Sequence, residues 1–136
     1  MKLLRVLFGN KIIENKEIVK LEDVQQQPKI KFSYPANTYY TIMMIDKDAP
    51  VSKAVNKSWL HWLIINNIDE IIHFKPPTPP KGSGFHRYYI YLLEQQNKIN
   101  IKEKIDISKF DFIKFIEEYK LKPISFVMFK TKHPED

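Results

Sequence analysis

The sequence contains no cysteine, only three glycines, and no apolar run long enough to cross a bilayer. The lack of cysteine excludes disulfides, thiolate metal sites and thiol catalysis, and it is compatible with a reducing compartment. The longest uncharged stretch of apolar character, residues 58–68, is too short for a membrane span. Arg5 interrupts the apolar N-terminus that a signal peptide would need. We therefore expect a cytoplasmic protein without a transmembrane segment.

The length and composition indicate one globular domain over residues 1–136. A chain of 136 residues is too short for two domains of ordinary size. Its 43% hydrophobic and 13% aromatic residues are sufficient for one packed core. The net charge is +6, but the lysines are scattered and many stand beside acids, as in Lys102-Glu103-Lys104. This pattern favours a solvated surface over a nucleic-acid-binding one.

Period-two alternation and short runs of β-branched and aromatic residues predict a mainly β fold. Five segments are predicted to be strands: 29–34, 39–45, 59–66, 87–93 and 124–130. Two more strands are predicted near the N-terminus, at 3–7 and 17–21. Many strands with few helices indicate an antiparallel β-sandwich.

One helix is predicted late in the chain. Ser108 is a suitable N-cap, and Asp111 lies three residues later in the first turn, where a carboxylate complements the free amides. Apolar residues then recur at helical spacing, and core packing is their favoured role: Phe112, Phe115, Ile116 and Tyr119. Lys120 and Pro123 mark the end of the helix.

Two acids directly follow a predicted strand, in Asp46-Lys47-Asp48-Ala49-Pro50. Positions two apart in an extended chain point to the same side. Asp46 and Asp48 could therefore accept hydrogen bonds, bind a cation or orient histidines. An acidic turn closed by proline is the alternative without a functional role.

A histidine lies within an apolar predicted strand, in Trp59-Leu60-His61-Trp62. Alternation predicts that His61 shares a face with Trp59 and Leu63, and that Trp62 lies on the other face. A satisfied core histidine and a ligand-binding histidine both fit this position.

A proline- and glycine-rich loop, Pro76-Pro77-Thr78-Pro79-Pro80-Lys81-Gly82-Ser83-Gly84, contains two of the three glycines. Gly82 and Gly84 permit backbone angles that aim amides at an anion. The segment is not a P-loop, because the required spacing is absent and no helix follows. A proline-rich ligand for SH3-type domains is an alternative, but an ordered loop is favoured.

The segment His86-Arg87-Tyr88 stands at the start of a predicted strand. His86 and Tyr88 share one face, where they could donate hydrogen bonds to a phosphate or carboxylate, or be satisfied core residues. Arg87 points the opposite way and is free to form a structural ion pair with an acid such as Asp48.

Together these segments resemble the phosphatidylethanolamine-binding protein family, which includes the Raf kinase inhibitor protein. The family's Asp-x-Asp-Ala-Pro, Trp-x-His and Pro-Pro-x-Gly-x-Gly-x-His-Arg-Tyr motifs correspond here to residues 46–50, 59–61 and 79–88. The resemblance extends over residues 29–132. Each motif alone is weak, whereas three motifs in order are specific.

The resemblance implies a mainly β, two-sheet antiparallel β-sandwich with one late α-helix and a small pocket for phosphate-type groups. The ligand-binding side chains would be Asp46, Pro50, Trp59, His61, Pro79, His86 and Tyr88. The residues that support them would be Asp48, Arg87, Gly82 and Gly84. The bond between Ala49 and Pro50 is expected to be cis.

Anion binding in such a pocket has a chemical basis. The imidazoles, the Tyr88 hydroxyl and the loop amides are donors, and Asp46 can fix a histidine tautomer. A bound anion would favour protonated His61 and His86, so affinity is predicted to rise as pH falls toward about 6. No metal and no other cofactor is expected.

The leading functional hypothesis is a regulatory module that binds a phospholipid head group or a phosphorylated partner. The alternative is inhibition of a kinase or protease through the surface around the pocket. A hydrolase or metal-dependent enzyme is disfavoured, because neither a G-x-S-x-G elbow nor H-E-x-x-H is present. We therefore assign no catalytic residues.

Departures from the family pattern predict a more open pocket. Pro76, Pro77 and Thr78 stand where many members have glycines, and Asn56 stands where some members have a pocket tyrosine. The sequence ends at Asp136, soon after the last predicted strand, so we expect it to lack the C-terminal helix of longer members.

Overall fold

The structure is a computed structural model that describes residues 4–49 and 57–136. Its strands, in chain order, are β1 (Arg5–Phe8), β2 (Lys11–Ile12), β3 (Glu17–Ile18), β4 (Lys29–Lys31), β5 (Tyr39–Asp46), β6 (Lys57–Ile65), β7 (Asp69–Ile72), β8 (His86–Gln95), β9 (Phe110–Asp111) and β10 (Lys122–Thr131). One α-helix, α1 (Phe112–Glu118), lies between β9 and β10. Short 3₁₀ turns cover Leu21–Val24 and Ile107–Lys109.

The described strands form two sheets. The smaller sheet has the order β2-β1-β4, and the larger has the order β3-β10-β8-β5-β6-β7, with β9 paired to β6. Within these sheets β3 runs parallel to β10, and the other pairings are antiparallel. The predicted mainly β fold with two sheets and one late helix is confirmed. The parallel pair was not predicted, because the pattern that indicates a strand at residues 17–21 does not indicate the direction in which it pairs.

The larger sheet is buried on both faces. On one face, Val6 of β1 belongs to the same apolar cluster as Met44 of β5 and Ile90 of β8. On the other face, Phe115 of α1 clusters with Met43 of β5. This two-sided burial explains why β5 reads as an almost continuous apolar run rather than as a strict alternation.

Four of the predicted strands match β5, β6, β8 and β10 to within two residues at each end. The start of the last strand differs from the prediction: Pro123 was expected to precede this strand and instead lies within β10. The pairing with β8 shifts register between Pro123 and Ser125, and such an irregularity accommodates a residue without an N–H. The strands β2, β7 and β9 were missed, because they are short or, in β7, mostly exposed.

The predicted start of the helix was wrong. Asp111, not Ser108, is the N-cap of α1, and its carboxylate accepts a hydrogen bond from the Lys114 amide at 3.0 Å. Ser108 lies in the preceding 3₁₀ turn, where Asp106 accepts from its amide. Both residues suit a cap, and pattern alone does not choose between two caps three residues apart. The apolar helical residues pack into the core as predicted.

Candidate functional site

A cavity of about 270 Å³ lies at the edge of the larger sheet where β5 ends and β8 begins. Its lining residues are Asp46, Ala49, Trp59, His61, Thr78, Pro80, His86 and Tyr88. Five of the predicted binding residues therefore come together here. Pro79 is buried nearby but does not line the cavity. Pro50 and its peptide bond with Ala49 lie outside the described residues.

Three lining residues were missed by the sequence analysis: Ala49, Thr78 and Pro80. Ala49 and Pro80 belong to motifs that the resemblance had already singled out, so their neighbours carried the signal. Thr78 precedes such a motif, and alternation does not apply in the loop that holds it. Its contribution to the lining follows only from the path of the loop across the end of the sheet.

The position of His61 depends on a register shift between β5 and β6. Met44 pairs with Trp62 and Ile45 with Leu60, so His61 has no partner across the strand. Such a bulge interrupts alternation, and it explains why His61 lines the cavity while Leu63 packs in the cluster under α1. The prediction that His61 shares a face with Leu63 was wrong.

Asp46 and His86 form a buried pair at the base of the cavity. The His86 Nδ1–H donates to Asp46 Oδ2 at 2.8 Å, and the side chains are 2% and 5% exposed, His86 first. The other carboxylate oxygen of Asp46 accepts the Asp48 amide at 2.7 Å. Asp46 thus fixes the orientation of a histidine, and the histidine is His86.

Ser83 forms a hydrogen bond with the other ring nitrogen of His86. Its hydroxyl donates to the Pro80 carbonyl at 2.6 Å and lies 2.8 Å from His86 Nε2. Because the single hydroxyl proton is used on Pro80, we assign His86 Nε2–H as the donor to Ser83 Oγ. Both ring nitrogens of His86 are then used in hydrogen bonds within the protein.

His61 is oriented by the Pro-rich loop. Its Nδ1–H donates to the Lys75 carbonyl at 2.7 Å, and the Lys75 amide donates back to the His61 carbonyl at 2.8 Å. Burial lowers the pKa of His61, against the raising effects of the Lys75 carbonyl and Asp46. The neutral ring therefore has no proton on Nε2, and no described residue donates to this atom. Protonation of His61 near pH 6 is less favourable than the residue types alone suggest.

The Tyr88 hydroxyl is buried without a hydrogen-bond partner among the described residues. Tyr88 is 0% exposed and its ring meets that of His61 edge-on, with 5.4 Å between centroids. Burial, and then the charge and the proximity of the Asp46 carboxylate, raises the pKa of Tyr88 well above its ordinary value, although the two groups do not meet hydrogen-bond geometry. The hydroxyl therefore keeps its proton as a donor. A buried polar group without a partner costs free energy, so this atom is a candidate ligand contact.

The glycine amides do not point into the cavity, contrary to the prediction that they are anion donors there. The Gly82 and Gly84 amides donate to the two carboxylate oxygens of Asp136, at 2.6 and 3.0 Å. Both glycines have positive φ, 89° and 74°, as a loop that turns its amides toward one carboxylate requires. The amides of this loop therefore bind a side chain of the same protein.

The predicted ion pair between Asp48 and Arg87 is present on the outer side of β8. Arg87 Nε and Nη2 donate to the Asp48 carboxylate at 2.8 and 2.9 Å, and the Arg87 amide adds a third bond. Burial of Asp48 opposes its ionisation, but the bonds from Arg87 together outweigh this and lower the pKa of Asp48. The pair ties the turn after β5 to the start of β8, and so holds Asp46 close to His86.

A larger surface groove of about 430 Å³ lies elsewhere, beside Ile18 and Phe85. Its charged side chains are at least partly exposed, whereas the smaller cavity collects buried polar groups. Convergent buried polar groups are the stronger sign of a binding site. Within residues 4–49 and 57–136, no cluster of metal-ligating side chains is found. No helix in these residues has the length and apolar character that a membrane crossing requires.

Comparison with known proteins agrees with this fold. The sequence matches the phosphatidylethanolamine-binding protein family over residues 9–129. The phosphatidylethanolamine-binding protein homolog R644 of Acanthamoeba polyphaga mimivirus is 41% identical over 137 residues, which cover 94% of this chain and 96% of that relative.

Two solved structures are similar in fold. One is a carboxypeptidase Y inhibitor complexed with its cognate proteinase, with TM-score 0.80 and 20% identity over 96% of this chain and 83% of that chain. The other is a phosphatidylethanolamine-binding protein from Plasmodium vivax, with TM-score 0.75 and 20% identity over 97% and 85% of the two chains. On the sequence match and the mimivirus relative, this chain belongs to the phosphatidylethanolamine-binding protein family.

Proposed function

We propose that the cavity binds a phosphate-type oxyanion and that the protein is a regulatory module for a phosphorylated partner or a phospholipid head group. The observation that carries this proposal is the Tyr88 hydroxyl, a fully buried donor without a partner in the described chain. It lies in one cavity with His61, His86 and Trp59. A ligand oxygen would give this hydroxyl its missing acceptor.

The charges in the cavity are compatible with a bound anion. The negative charge of Asp46 is paired at 2.8 Å with His86, so an incoming anion does not meet an isolated carboxylate. Trp59 and Thr78 also line the cavity, and their side chains carry an indole N–H and a hydroxyl. The result is a small site in which donors stand beside a carboxylate that is hydrogen-bonded to a histidine.

The geometry supports binding more than catalysis. Asp46, His86 and Ser83 are connected in the order of a hydrolytic triad, but the Ser83 proton is directed to the Pro80 carbonyl. His86 then donates to Ser83 and cannot act as its general base in this arrangement. Ser83 therefore serves to position His86.

The test is an NMR titration of the whole chain with inorganic phosphate, phosphoethanolamine and phosphotyrosine. Wild type should show saturable amide shifts around His61, His86 and Tyr88, and His86→Ala should lose most of the affinity. His73→Ala is the control, because His73 is an exposed histidine outside the cavity. No saturable shift with any of the three ligands in folded wild type would refute the proposed pocket.

A second candidate is inhibition of a peptidase. It is favoured by the similarity in fold to the carboxypeptidase Y inhibitor, which was solved together with its proteinase. The test is to assay a serine carboxypeptidase with and without excess protein. Saturable inhibition would support this function, and unchanged peptide hydrolysis at saturating protein would remove it. A kinase partner and a cytoplasmic location stay predictions.

A further inference from the structure

Among the described residues, His61 offers a ligand an acceptor in the same cavity in which Tyr88 offers a donor. His61 uses its Nδ1–H on the Lys75 carbonyl at 2.7 Å, so the neutral ring presents Nε2 as a bare acceptor. No described residue donates to that nitrogen. An oxyanion without a proton has only acceptors and would place a lone pair against it.

The surroundings of His61 keep this acceptor unprotonated. Asp46 from β5, His86 and Tyr88 from β8, and Lys75 from the Pro-rich loop are the ionisable groups near its ring. Burial, with smaller contributions from Lys75 and His86, lowers the pKa of His61 and outweighs the opposite effect of Asp46 and the Lys75 carbonyl. Protonation of His61 to accommodate a ligand is therefore costly.

The donor is the Tyr88 hydroxyl, which the described protein leaves without a partner. His86 does not offer a second equally free donor, because Asp46 and Ser83 use both of its ring nitrogens. The Asp46 carboxylate also stands in the lining and repels a doubly charged ligand more than a singly charged one. Hydrogen bonding and charge therefore both favour a singly charged oxyanion that carries a proton.

We propose that the pocket selects an oxyanion that carries its own acidic proton, namely the monoanion of a phosphate monoester or of inorganic phosphate. The ligand P–OH donates to His61 Nε2, and an unprotonated phosphate oxygen accepts from the Tyr88 hydroxyl. This inference rests on the proposed function and narrows it. A phosphate diester has the same single charge but lacks the proton, so it is disfavoured.

The test compares methyl phosphate with dimethyl phosphate by NMR titration of wild type at constant ionic strength. With a second phosphate pKa of about 6, the monoanion falls roughly 50-fold between about pH 6 and about pH 8. Methyl phosphate affinity should fall by a similar factor over this range. Dimethyl phosphate should bind weakly at both values, because it has no proton to donate.

Inorganic phosphate and phosphoethanolamine should follow methyl phosphate, and glycerophosphoethanolamine, the diester found in the lipid head group, should follow dimethyl phosphate. This pair separates a free or protein-linked monoester from a membrane lipid as the source of the phosphate. Equal binding of the mono- and diester forms of phosphoethanolamine would overturn the proposal.

His61→Phe removes the acceptor while keeping a ring against Tyr88. It should reduce methyl phosphate binding at about pH 6 by tenfold or more, to the level of the diester, and His73→Phe should leave it unchanged. If His61→Phe does not fold, ¹⁵N NMR of the wild-type imidazole gives the same information. His61 Nε2 should stay without a bonded proton in the methyl phosphate complex.

Three outcomes overturn the inference. One is a rise in dimethyl phosphate affinity on acidification as large as that of methyl phosphate, because His61 would then be the group that gains the proton. Another is a protonated His61 Nε2 in the complex. The third, no saturable shift with either phosphate in folded protein, would overturn the proposed function as well, which distinguishes the two failures.

Discussion

The strands β5, β6 and β8 carry a buried polar cluster at each end, and the two clusters differ in how completely they are satisfied. At one end are Asp46, His61, His86 and Tyr88, which line the cavity. At the other end are Thr41, Asn66 and Gln95, which are equally buried. The same three strands therefore support both an open polar site and a closed polar network.

The closed network is built from amides and a hydroxyl. Gln95 accepts from the Thr41 hydroxyl at 2.8 Å and from the Asn66 amide at 2.9 Å, and its own NH₂ donates to Asn66 Oδ1 at 2.8 Å. Asn66 also joins the Ile99 backbone through both its oxygen and its NH₂. The hydrogen-bonding groups of these two amide side chains are used within the protein.

The cavity end, by contrast, consists of ionisable and aromatic groups and leaves atoms without partners. The Tyr88 hydroxyl has none among the described residues, and none of those residues donates to His61 Nε2. A satisfied polar network stabilises and specifies a fold, whereas an unsatisfied buried donor is tolerated where a ligand completes it. The difference between the ends thus separates a structural role from the binding role that we propose for the cavity.

The largest expected effect on stability is that of Gln95→Leu, which removes the side chain at the centre of the closed network. The Thr41 hydroxyl and the Asn66 amide would be left buried without partners, so we expect the free energy of unfolding to fall by about 3 kcal/mol. Urea denaturation measures it. Gln96→Leu, at the exposed neighbouring position, is the control and should change stability by less than about 0.5 kcal/mol. Equal losses in the two variants would show that the network contributes nothing specific.

The next effect is a pH dependence of stability from His61. Because burial lowers its pKa in the folded state, the contribution of neutral His61 is complete above the unfolded pKa of about 6.5. It is lost as pH falls below that value, with a slope of at most about 1.4 kcal/mol per pH unit. Urea unfolding between neutral and mildly acidic pH should show this slope in wild type and in His73→Phe. A slope that persists in His61→Phe would assign it to other groups.

A smaller effect on stability is expected when the partly exposed ion pair between Asp48 and Arg87 is broken. Asp48→Asn should lower the free energy of unfolding by about 1 kcal/mol or less at neutral pH, since solvent screens the pair. The pKa of Asp48 is lowered in the folded state, so its contribution is present above about 3.9 and is lost as pH falls through the lower folded value. The difference between wild type and variant should therefore vanish in acid. Glu135→Gln, which breaks the more exposed pair with Lys81, is the control and should have no measurable effect.

The smallest effects on stability are expected when one tyrosine hydroxyl is removed at each end of the three strands. Tyr88→Phe removes a group with no partner in the described chain, so stability should change by less than about 0.5 kcal/mol. Tyr40→Phe removes a hydroxyl that donates to Glu94 at 3.4 Å, and should cost up to about 1 kcal/mol. Methyl phosphate affinity should show the reverse order, with about a tenfold loss only in Tyr88→Phe. A clear loss of stability in Tyr88→Phe would mean that its hydroxyl has a structural partner.

Local pattern was sufficient where each residue's role depends on its neighbours in sequence. The central strands were predicted because β5 and β8 consist of apolar and aromatic runs of strand length, and Arg87 was paired with Asp48 because alternation turns it away from Tyr88. Ser83 was missed as the partner of His86, although it lies between two glycines that had been singled out. A hydroxyl on a turn carries no signal of which ring nitrogen it contacts.

The sequence by itself determined the family motifs, the mainly β fold, and five of the residues that meet in the cavity. Only the tertiary structure decided which atoms stay open. The bulge in β6 turns His61 away from the face predicted for it. The glycine amides of the loop donate to Asp136, and Ser83 contacts the second ring nitrogen of His86. Alternation describes the direction of a side chain along its own strand, whereas a hydrogen-bond partner is fixed by register and by loop paths. The bonds from Asp46 to His86 and from Gly82 to Asp136 join residues 40 and 54 positions apart.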